Sequence, residues 1–163
     1  MKFHKLKAKW AGWYDGALNG PVSKDKLPAD HKKKGYRYFR SGLEVEYARN
    51  LQIRLAAKDI KSWAFEPESW DFQAREKKVL RRNSLYTPDF MFVDSKGETY
   101  FVEAKGFNYS GSATKIRRAL KYFPERKLLV YTKKTGTIAA QQYLDKIKSE
   151  SEARKRIKAL RTK

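Results

Sequence analysis

The first strong pattern in the chain is a stripe of apolar residues at helical spacing, which predicts a helix from about Ser41 to Lys58. The stripe consists of Leu43, Tyr47, Ala48, Leu51 and Leu55. The run Ser41-Gly42-Leu43-Glu44 fits a capping box, in which serine and glutamate satisfy orphan amides at the helix start. Glu44 also falls within the apolar stripe, where a carboxylate is costly unless it is paired or bound to a metal. Glu44 is therefore either a cap or a functional acid.

Short apolar runs further along predict strands at 61–73, interrupted by Pro67, and at 86–93, 98–105 and 127–132. Helical patterns follow at 112–123 and, as one or two basic helices, from Thr137 to the end. This order predicts one α/β domain with basic extensions at both ends. The expected organisation is a basic N-terminal arm at 1–38, a core at 39–135 and a basic helical extension at 136–163. In the arm, Trp10, Trp13 and Tyr14 either pack on the domain or stack on bases.

Three charged residues stand on two of these predicted strands. Asp89 begins one apolar strand, and Glu103 and Lys105 lie two apart on the next, so their side chains share a face. The turn sequence 94–97 is short enough to close a hairpin, which would set Asp89 opposite Val102 or Glu103. Two carboxylates and an ammonium are thus expected to converge on an otherwise apolar hairpin.

Ordinary structural roles compete with this interpretation. Pro88-Asp89 is a common turn pair, and Glu103 with Lys105 would make an ion pair on a solvated sheet face. Against the turn, the residues after Asp89 continue as an apolar strand. Against the solvated ion pair, Phe101 shares the face of Glu103. The three residues together favour a functional site more than any one of them alone.

The charge of the chain points to a polyanionic partner. There are 38 Lys and Arg against 18 Asp and Glu, a formal net charge of +20. Nucleic acid is the first candidate and an anionic membrane surface the second. The second is weakened because the sequence has no long apolar run, no signal-peptide pattern and no lipidation motif. We therefore expect a cytoplasmic protein that binds nucleic acid and no membrane.

Residue types also limit the metal chemistry. Cysteine is absent, which excludes disulfides and thiolate zinc sites, and His4 and His31 are the two histidines. A catalytic metal must then be held by oxygen, which favours Mg²⁺ or Mn²⁺. Asp89 and Glu103, with the carbonyl of Ala104, are suited to bridge one or two such ions, with Glu44 completing a second position. The metal would activate water and neutralise charge on phosphorus, while Lys105 orients the water and stabilises the transition state.

These motifs resemble the PD-(D/E)xK nuclease superfamily, through Pro88-Asp89 and Glu103-Ala104-Lys105. The run from Phe39 to Glu44 is similar to the first catalytic helix of phage junction-resolving endonucleases of the endonuclease I type. The endonuclease subunit of heteromeric transposases has a comparable series. The resemblance implies metal ligation by Asp89 and Glu103, catalysis by Lys105 and a helix acid at Glu44. It also implies a single restriction-endonuclease-like domain with a mixed central sheet flanked by helices.

The function expected from this resemblance is a Mg²⁺-dependent DNA endonuclease, with Mn²⁺ able to substitute. It would be phage-encoded, located in the bacterial host cytoplasm, and active on branched or duplex DNA. Junction-resolving relatives are dimers, so a homodimer is one expected assembly. The alternatives are a nuclease subunit working with a protein partner in a larger complex, a non-cleaving nucleic-acid-binding protein on the same fold, or an RNA-directed protein. The spacing from Glu44 to Asp89, longer than in junction resolvases, and the insertion at 75–82 depart from the resolvase pattern.

Basic residues flank the proposed site in sequence and are candidate DNA contacts. They are Arg40, Arg81, Arg82, Lys115, Arg117 and Arg118. Contacts of this kind with phosphates supply affinity and register but carry no base specificity. We therefore expect DNA binding that weakens steeply as salt rises.

Overall fold

The computed structural model of the chain describes residues 11–76, 84–106 and 110–161. These residues fall into two compact units. The first comprises the described residues of Met1–Phe65 and Phe92–Glu98, and the second those of Glu66–Met91 and Thr99–Lys163. No helix in the described ranges is long and apolar enough to cross a membrane.

The described residues form three α-helices and nine strands in an α/β arrangement. The helices are α1 Gly42–Ala56, α2 Ser110–Tyr122 and α3 Ala140–Arg161. The strands are β1 Gly12–Tyr14, β2 Arg37–Phe39, β3 Ile60–Phe65, β4 Trp70–Asp71, β5 Leu85–Tyr86, β6 Phe90–Asp94, β7 Thr99–Ala104, β8 Lys127–Thr132 and β9 Gly136–Ala139. Two short 3₁₀ turns occupy Lys24–Lys26 and Gln73–Arg75.

The main sheet has five strands in the order β3-β6-β7-β8-β9. Strands β7 and β8 are parallel, with Glu103 opposite Val130, whereas β8 and β9 are antiparallel. A parallel pair needs a crossover connection, and α2 lies between these two strands in the chain. The expected α/β class with a mixed sheet is therefore confirmed.

The N-terminal region of the first unit is packed. Strands β1 and β2 pair antiparallel, with Trp13 opposite Tyr38. The ring of Trp13 makes edge contacts with His31 at 4.5 Å and with Tyr38 at 5.5 Å between centroids. Tyr14 is fully buried. Packing on the domain, one of the two roles expected of the arm's aromatic residues, is confirmed for Tyr14, whose ring contacts Phe39 at 5.6 Å between centroids. The rings that Trp13 contacts belong to the arm itself, and Trp10 lies outside the described residues.

Helix α1 agrees closely with the predicted helix. Ser41 is its N-cap in extended conformation, and the apolar stripe is buried from Leu43 through Leu51. The prediction is wrong for Leu55, which is 41% exposed. The buried face ends one turn before the helix does, and Ile53 in that turn is also exposed.

Two predicted strands prove to be broken at proline. The segment 61–73 divides into β3 and β4, which lie in different sheets, with Pro67 between them. The segment 86–93 divides into β5 and β6 around Pro88. Proline lacks the N–H that a ladder requires, so a strand that contains one tends to end there.

The second unit is built around an aromatic core. Trp70 contacts Phe101 at 4.9 Å and Tyr86 at 5.4 Å between ring centroids. Ile116 of α2 and Tyr143 of α3 belong to the same cluster. The predicted helix from Thr137 is wrong for its first residues, because β9 pairs there with β8 before α3 begins. Packed structure therefore continues past residue 135.

Candidate active site

Asp89 lies in the break between β5 and β6, where one hydrogen bond holds its main chain and another holds its side chain. Its carbonyl accepts a hydrogen bond from the N–H of Glu66 at 2.8 Å. Its Oδ2 accepts one from the N–H of Ala104 at 2.8 Å. The preceding Pro88 is fully buried and restricts the backbone before it. The carboxylate, 6% exposed, is thus fixed beside the end of β7.

Glu103 occupies the second-last position of β7 and is also 6% exposed. Its Oε2 accepts a hydrogen bond from the hydroxyl of Tyr86 at 2.8 Å. Its Oε1 is in ion-pair contact with the ammonium of Lys105. Both carboxylate oxygens therefore have ionisable partners. Residues two apart on one strand face are expected to meet in this way.

Lys105 follows directly after β7. Its main-chain N–H donates to the carbonyl of Tyr131 at 2.8 Å, which extends the ladder with β8 by one residue. Its side chain is 20% exposed, whereas that of Glu103 is 8% exposed. Lys105 therefore connects a nearly closed cluster of charged groups to the protein surface.

Two tyrosines complete the surroundings of Glu103, and the sequence analysis identified neither. The pKa of Tyr86 is raised well above its usual value by burial, by the charge of Glu103 and the hydrogen bond to it, and by the charge of Asp89. The pKa of Tyr143 is raised by burial and by the charges of Glu103 and Glu150. Tyr86 therefore remains a protonated donor to Glu103 at neutral pH.

The donor set at this position suits a hard divalent cation. Two carboxylates and one ammonium have a formal net charge of −1 in a region largely closed to water, where an unbalanced charge is costly. Within the described ranges, no group of three or more His, Cys, Asp or Glu side chains is placed to hold a metal ion. Asp89 and Glu103 thus fit Mg²⁺, which is usually bound through one or two carboxylates plus waters and phosphate.

Glu44 has a local set of partners at the start of α1. Its N–H donates to Ser41 Oγ at 3.2 Å, and its Oε1 accepts from the same hydroxyl at 3.1 Å. Its Oε2 accepts from the N–H of Arg40 at 2.9 Å, and the Arg40 Nε lies 4.0 Å away. The predicted capping interaction is present, with the glutamate reaching one residue before the cap. Glu44 is as buried as Glu103, at 6% exposed.

A groove of about 580 Å³ lies beside Lys105 in the second unit. We call it the basic groove, and its charged lining is Lys105, Lys133, Lys134, Lys146, Glu150 and Arg154. Arg154 belongs to a C-terminal basic run whose sequence allows DNA contacts, whereas no sequence pattern selected Lys133, Lys134, Lys146 or Glu150. They come from the turn between β8 and β9 and from α3, and no local sequence signal brings those segments to Lys105.

The predicted DNA contacts differ in their surroundings. Lys115 and Arg117 are exposed on α2, and the Arg40 side chain is 58% exposed. Arg118 instead is half-buried, with its guanidinium 4.5 Å from the centroid of the Phe72 ring. Arg81 and Arg82 lie outside the described residues. Of the three predicted contacts on α2, Lys115 and Arg117 are thus the two that are open to a phosphate.

Comparison of the chain with protein-family models, with curated proteins and with solved structures gives no match. Functional inference therefore rests on the site itself. Its content is two buried carboxylates, a lysine that bridges to the surface, a phenol that donates to one carboxylate, and an adjoining basic groove.

Proposed function

We propose that this protein is a metal-dependent endonuclease that hydrolyses phosphodiester bonds in DNA, with Asp89, Glu103 and Lys105 at its centre. The observation that carries the proposal is the contact of buried Glu103 with Lys105, beside buried Asp89, at the mouth of a basic groove. The formal charge of +20 supports a polyanionic substrate. The fold we propose is of the restriction-endonuclease type.

Asp89 and Glu103 would hold Mg²⁺ or Mn²⁺, with the carbonyl of Ala104 as a further ligand. When bound, the ion supplies Lewis-acid stabilisation of charge at the phosphoryl group. The protein contributes orientation: the N–H of Ala104 fixes the Asp89 carboxylate, and the Tyr86 hydroxyl fixes one oxygen of Glu103. Fixed ligands of this kind lower the cost of reorganising the site during the reaction.

Lys105 is proposed to have two roles. The first is to balance the charge of Glu103, with which its ammonium is in ion-pair contact. The second is toward the substrate, where the ammonium would orient the attacking water and stabilise negative charge on the phosphoryl oxygens. The Lys105 side chain is 20% exposed, so part of it is accessible to a substrate.

One observation favours a second candidate function, nucleic-acid binding without cleavage. Both oxygens of Glu103 already have protein partners, Tyr86 and Lys105, which is a sufficient structural arrangement for a buried glutamate. A protein of this fold that only binds DNA would also carry the excess of positive charge. The two candidates differ in their dependence on divalent metal.

The deciding experiment is cleavage of supercoiled plasmid and of a synthetic four-way junction in Mg²⁺, Mn²⁺ or EDTA. Wild type is compared with Asp89→Asn and Lys105→Ala. Asp59→Asn and Lys61→Ala are matched controls, because both residues are exposed in the first unit. We expect metal-dependent cutting by wild type and by both controls, and none by the two site variants.

The preferred DNA substrate distinguishes a junction-resolving enzyme from a general endonuclease. Cutting of the junction in preference to plasmid would support a junction-resolving enzyme, which we would expect to act as a homodimer. Equal cutting would support a general endonuclease. Binding without cutting in any metal would refute catalysis by the chain alone and favour the binding protein or a subunit that needs a protein partner.

A further inference from the structure

The basic groove combines cations from two separate elements. Lys133 and Lys134 lie in the turn between β8 and β9, and Lys146 and Arg154 lie on α3. Together with Lys105 they provide five positive charges against the single carboxylate of Glu150 among the described charged residues that line the groove. A concave surface with this balance raises the local concentration of anions.

The α3 side of the groove is a single helix face. Lys146, Glu150 and Arg154 recur every four residues, so they are neighbours along one side of α3. At 1.5 Å per residue, Lys146 and Arg154 are about 12 Å apart along the axis. One strand of duplex DNA advances about 3.4 Å per nucleotide, so this face spans roughly three to four nucleotides.

The lining is suited to phosphates more than to bases. Tyr143 is the one aromatic residue among the described residues of the groove, and it is 3% exposed because its ring belongs to the core. Stacking of bases needs an exposed ring face. Exposed lysines, by contrast, contact the backbone of any sequence. Binding here would therefore depend on phosphate charge and little on base identity.

We propose that the basic groove binds the phosphodiester backbone of the DNA strand and directs it to Lys105, so that several phosphates on one side of the scissile bond are held by Lys133, Lys146 and Arg154. The identity of the polyanion as DNA rests on the proposed function. The groove itself is inferred independently of catalysis, from its shape and charge.

Glu150 allows a test in which two substitutions are expected to change DNA affinity in opposite directions. Its carboxylate lies in the path of the phosphates and is 3.4 Å from the ammonium of Lys134. It therefore both repels the backbone and engages one of the cations. Removal of its charge should strengthen DNA binding, whereas removal of the charge of Lys146 should weaken it. A role of either residue in stability alone would not produce opposite effects on binding.

The test is fluorescence anisotropy of a labelled DNA duplex across a salt series, in EDTA so that no cleavage occurs. Variants are Lys146→Gln, Glu150→Gln and the control Lys155→Gln, an exposed lysine on α3 outside the groove lining. For Lys146→Gln we expect severalfold weaker binding and a loss of about 0.9 from the slope of log K against log salt. For Glu150→Gln we expect severalfold tighter binding, and Lys155→Gln should stay near wild type.

Equal behaviour of Lys146→Gln and Lys155→Gln, an unchanged affinity in Glu150→Gln, or no binding by wild type would each overturn the groove proposal. These outcomes are separable from failure of the proposed function. If wild type cuts DNA with Mg²⁺ but Lys146→Gln and Glu150→Gln do not change DNA affinity, the nuclease proposal stands and the groove proposal fails. If Lys146→Gln weakens and Glu150→Gln strengthens DNA binding but no metal supports cutting, the groove is a nucleic-acid-binding site and the proposed catalysis is refuted.

Discussion

Two glutamates in this protein are equally buried and differ in what surrounds them. Glu44 lies in the first turn of α1 in the first unit, Glu103 is the second-last residue of β7 in the second, and each is 6% exposed. The hydrogen bonds of Glu44 come from Arg40 and Ser41, both within four residues of it. Those of Glu103 come from the phenol of Tyr86, distant in sequence, and from the ammonium of Lys105.

The difference shows that burial alone does not identify a functional carboxylate. A capping glutamate needs only an acceptor oxygen, and glutamine supplies one equally well in a capping box. Glu103 is instead surrounded by ionisable groups, in a cluster that also includes Asp89. Structural stability does not require such a cluster, since apolar residues would fill the same volume at lower cost. We therefore propose the chemistry at Glu103 and treat Glu44 as a cap; the catalytic role of each glutamate is a prediction to be tested.

The largest expected effect separates the two glutamates directly. Glu103→Gln should lose several kcal/mol of transition-state stabilisation, at least about a hundredfold in cleavage rate, because one charged metal ligand is gone. Glu44→Gln keeps the capping acceptor and should stay within about twofold of wild type. The measurement is the initial rate of junction or plasmid cutting with Mg²⁺ for both variants at equal concentration.

A comparable loss in Glu44→Gln would restore Glu44 as the acid of a second metal position. A fully active Glu103→Gln would remove Glu103 from the reaction and leave its buried contacts as structural. Both variants replace a carboxylate by an amide of the same shape, so either result reports on charge.

The next effect concerns the hydroxyl of Tyr86. Tyr86→Phe removes the donor to Glu103 Oε2 and leaves a buried carboxylate oxygen without that bond, at a cost of about 1–3 kcal/mol. Urea unfolding at neutral pH measures this loss. Tyr38→Phe is the control, because Tyr38 is 47% exposed and its change should be close to zero. Equal stability of the two variants would show that the Tyr86 hydrogen bond contributes nothing to holding Glu103.

A smaller effect is expected from removing the capping interactions of Glu44. Glu44→Ala removes the acceptor for the Arg40 N–H and the contact with Ser41, and should cost about 1 kcal/mol of unfolding free energy. Glu44→Gln should cost only a few tenths. Thermal unfolding of both variants gives the two values. If glutamine were as destabilising as alanine, the charge of Glu44 and not its hydrogen bonding would matter.

The smallest effect is on the pH dependence of stability. The pKa of Tyr86 is raised in the folded protein above its usual 10.0, so the folded state holds this proton more tightly than the unfolded state. The resulting stabilisation is complete below about pH 10 and is lost as pH rises toward the folded pKa. The stability difference between wild type and Tyr86→Phe should thus narrow by under about 1 kcal/mol between about pH 9.5 and 10.5. A constant difference would contradict the raised pKa.

Sequence patterns were sufficient to predict those structural features that depend on residues close together in the chain. The capping box of Glu44 depends on four consecutive residues, and the contact of Glu103 with Lys105 follows from the two-residue period of a strand. The break of two predicted strands at Pro67 and Pro88 also has a local cause, although only the first was anticipated.

Tertiary packing determined the rest. Tyr86 reaches Glu103 because β5 and β7 contribute to one aromatic core, and no periodicity links those positions. The basic groove forms because the turn after β8 and the face of α3 come together beside Lys105, although in sequence they are simply charged segments. Strand β9 has only four residues and is defined by its pairing with β8. Its own composition therefore gave little indication of a strand.

A Mn²⁺ titration followed by electron paramagnetic resonance tests whether Asp89 and Glu103 form a divalent-cation site. The titration is done without DNA on wild type, Asp89→Asn, Glu103→Gln and Glu44→Gln. We expect a Mn²⁺ site in wild type that Asp89→Asn and Glu103→Gln each weaken strongly and Glu44→Gln leaves intact. Mn²⁺ binding that is absent in wild type, or unchanged in the Asp89 and Glu103 variants, would contradict a divalent-cation site formed by these two carboxylates.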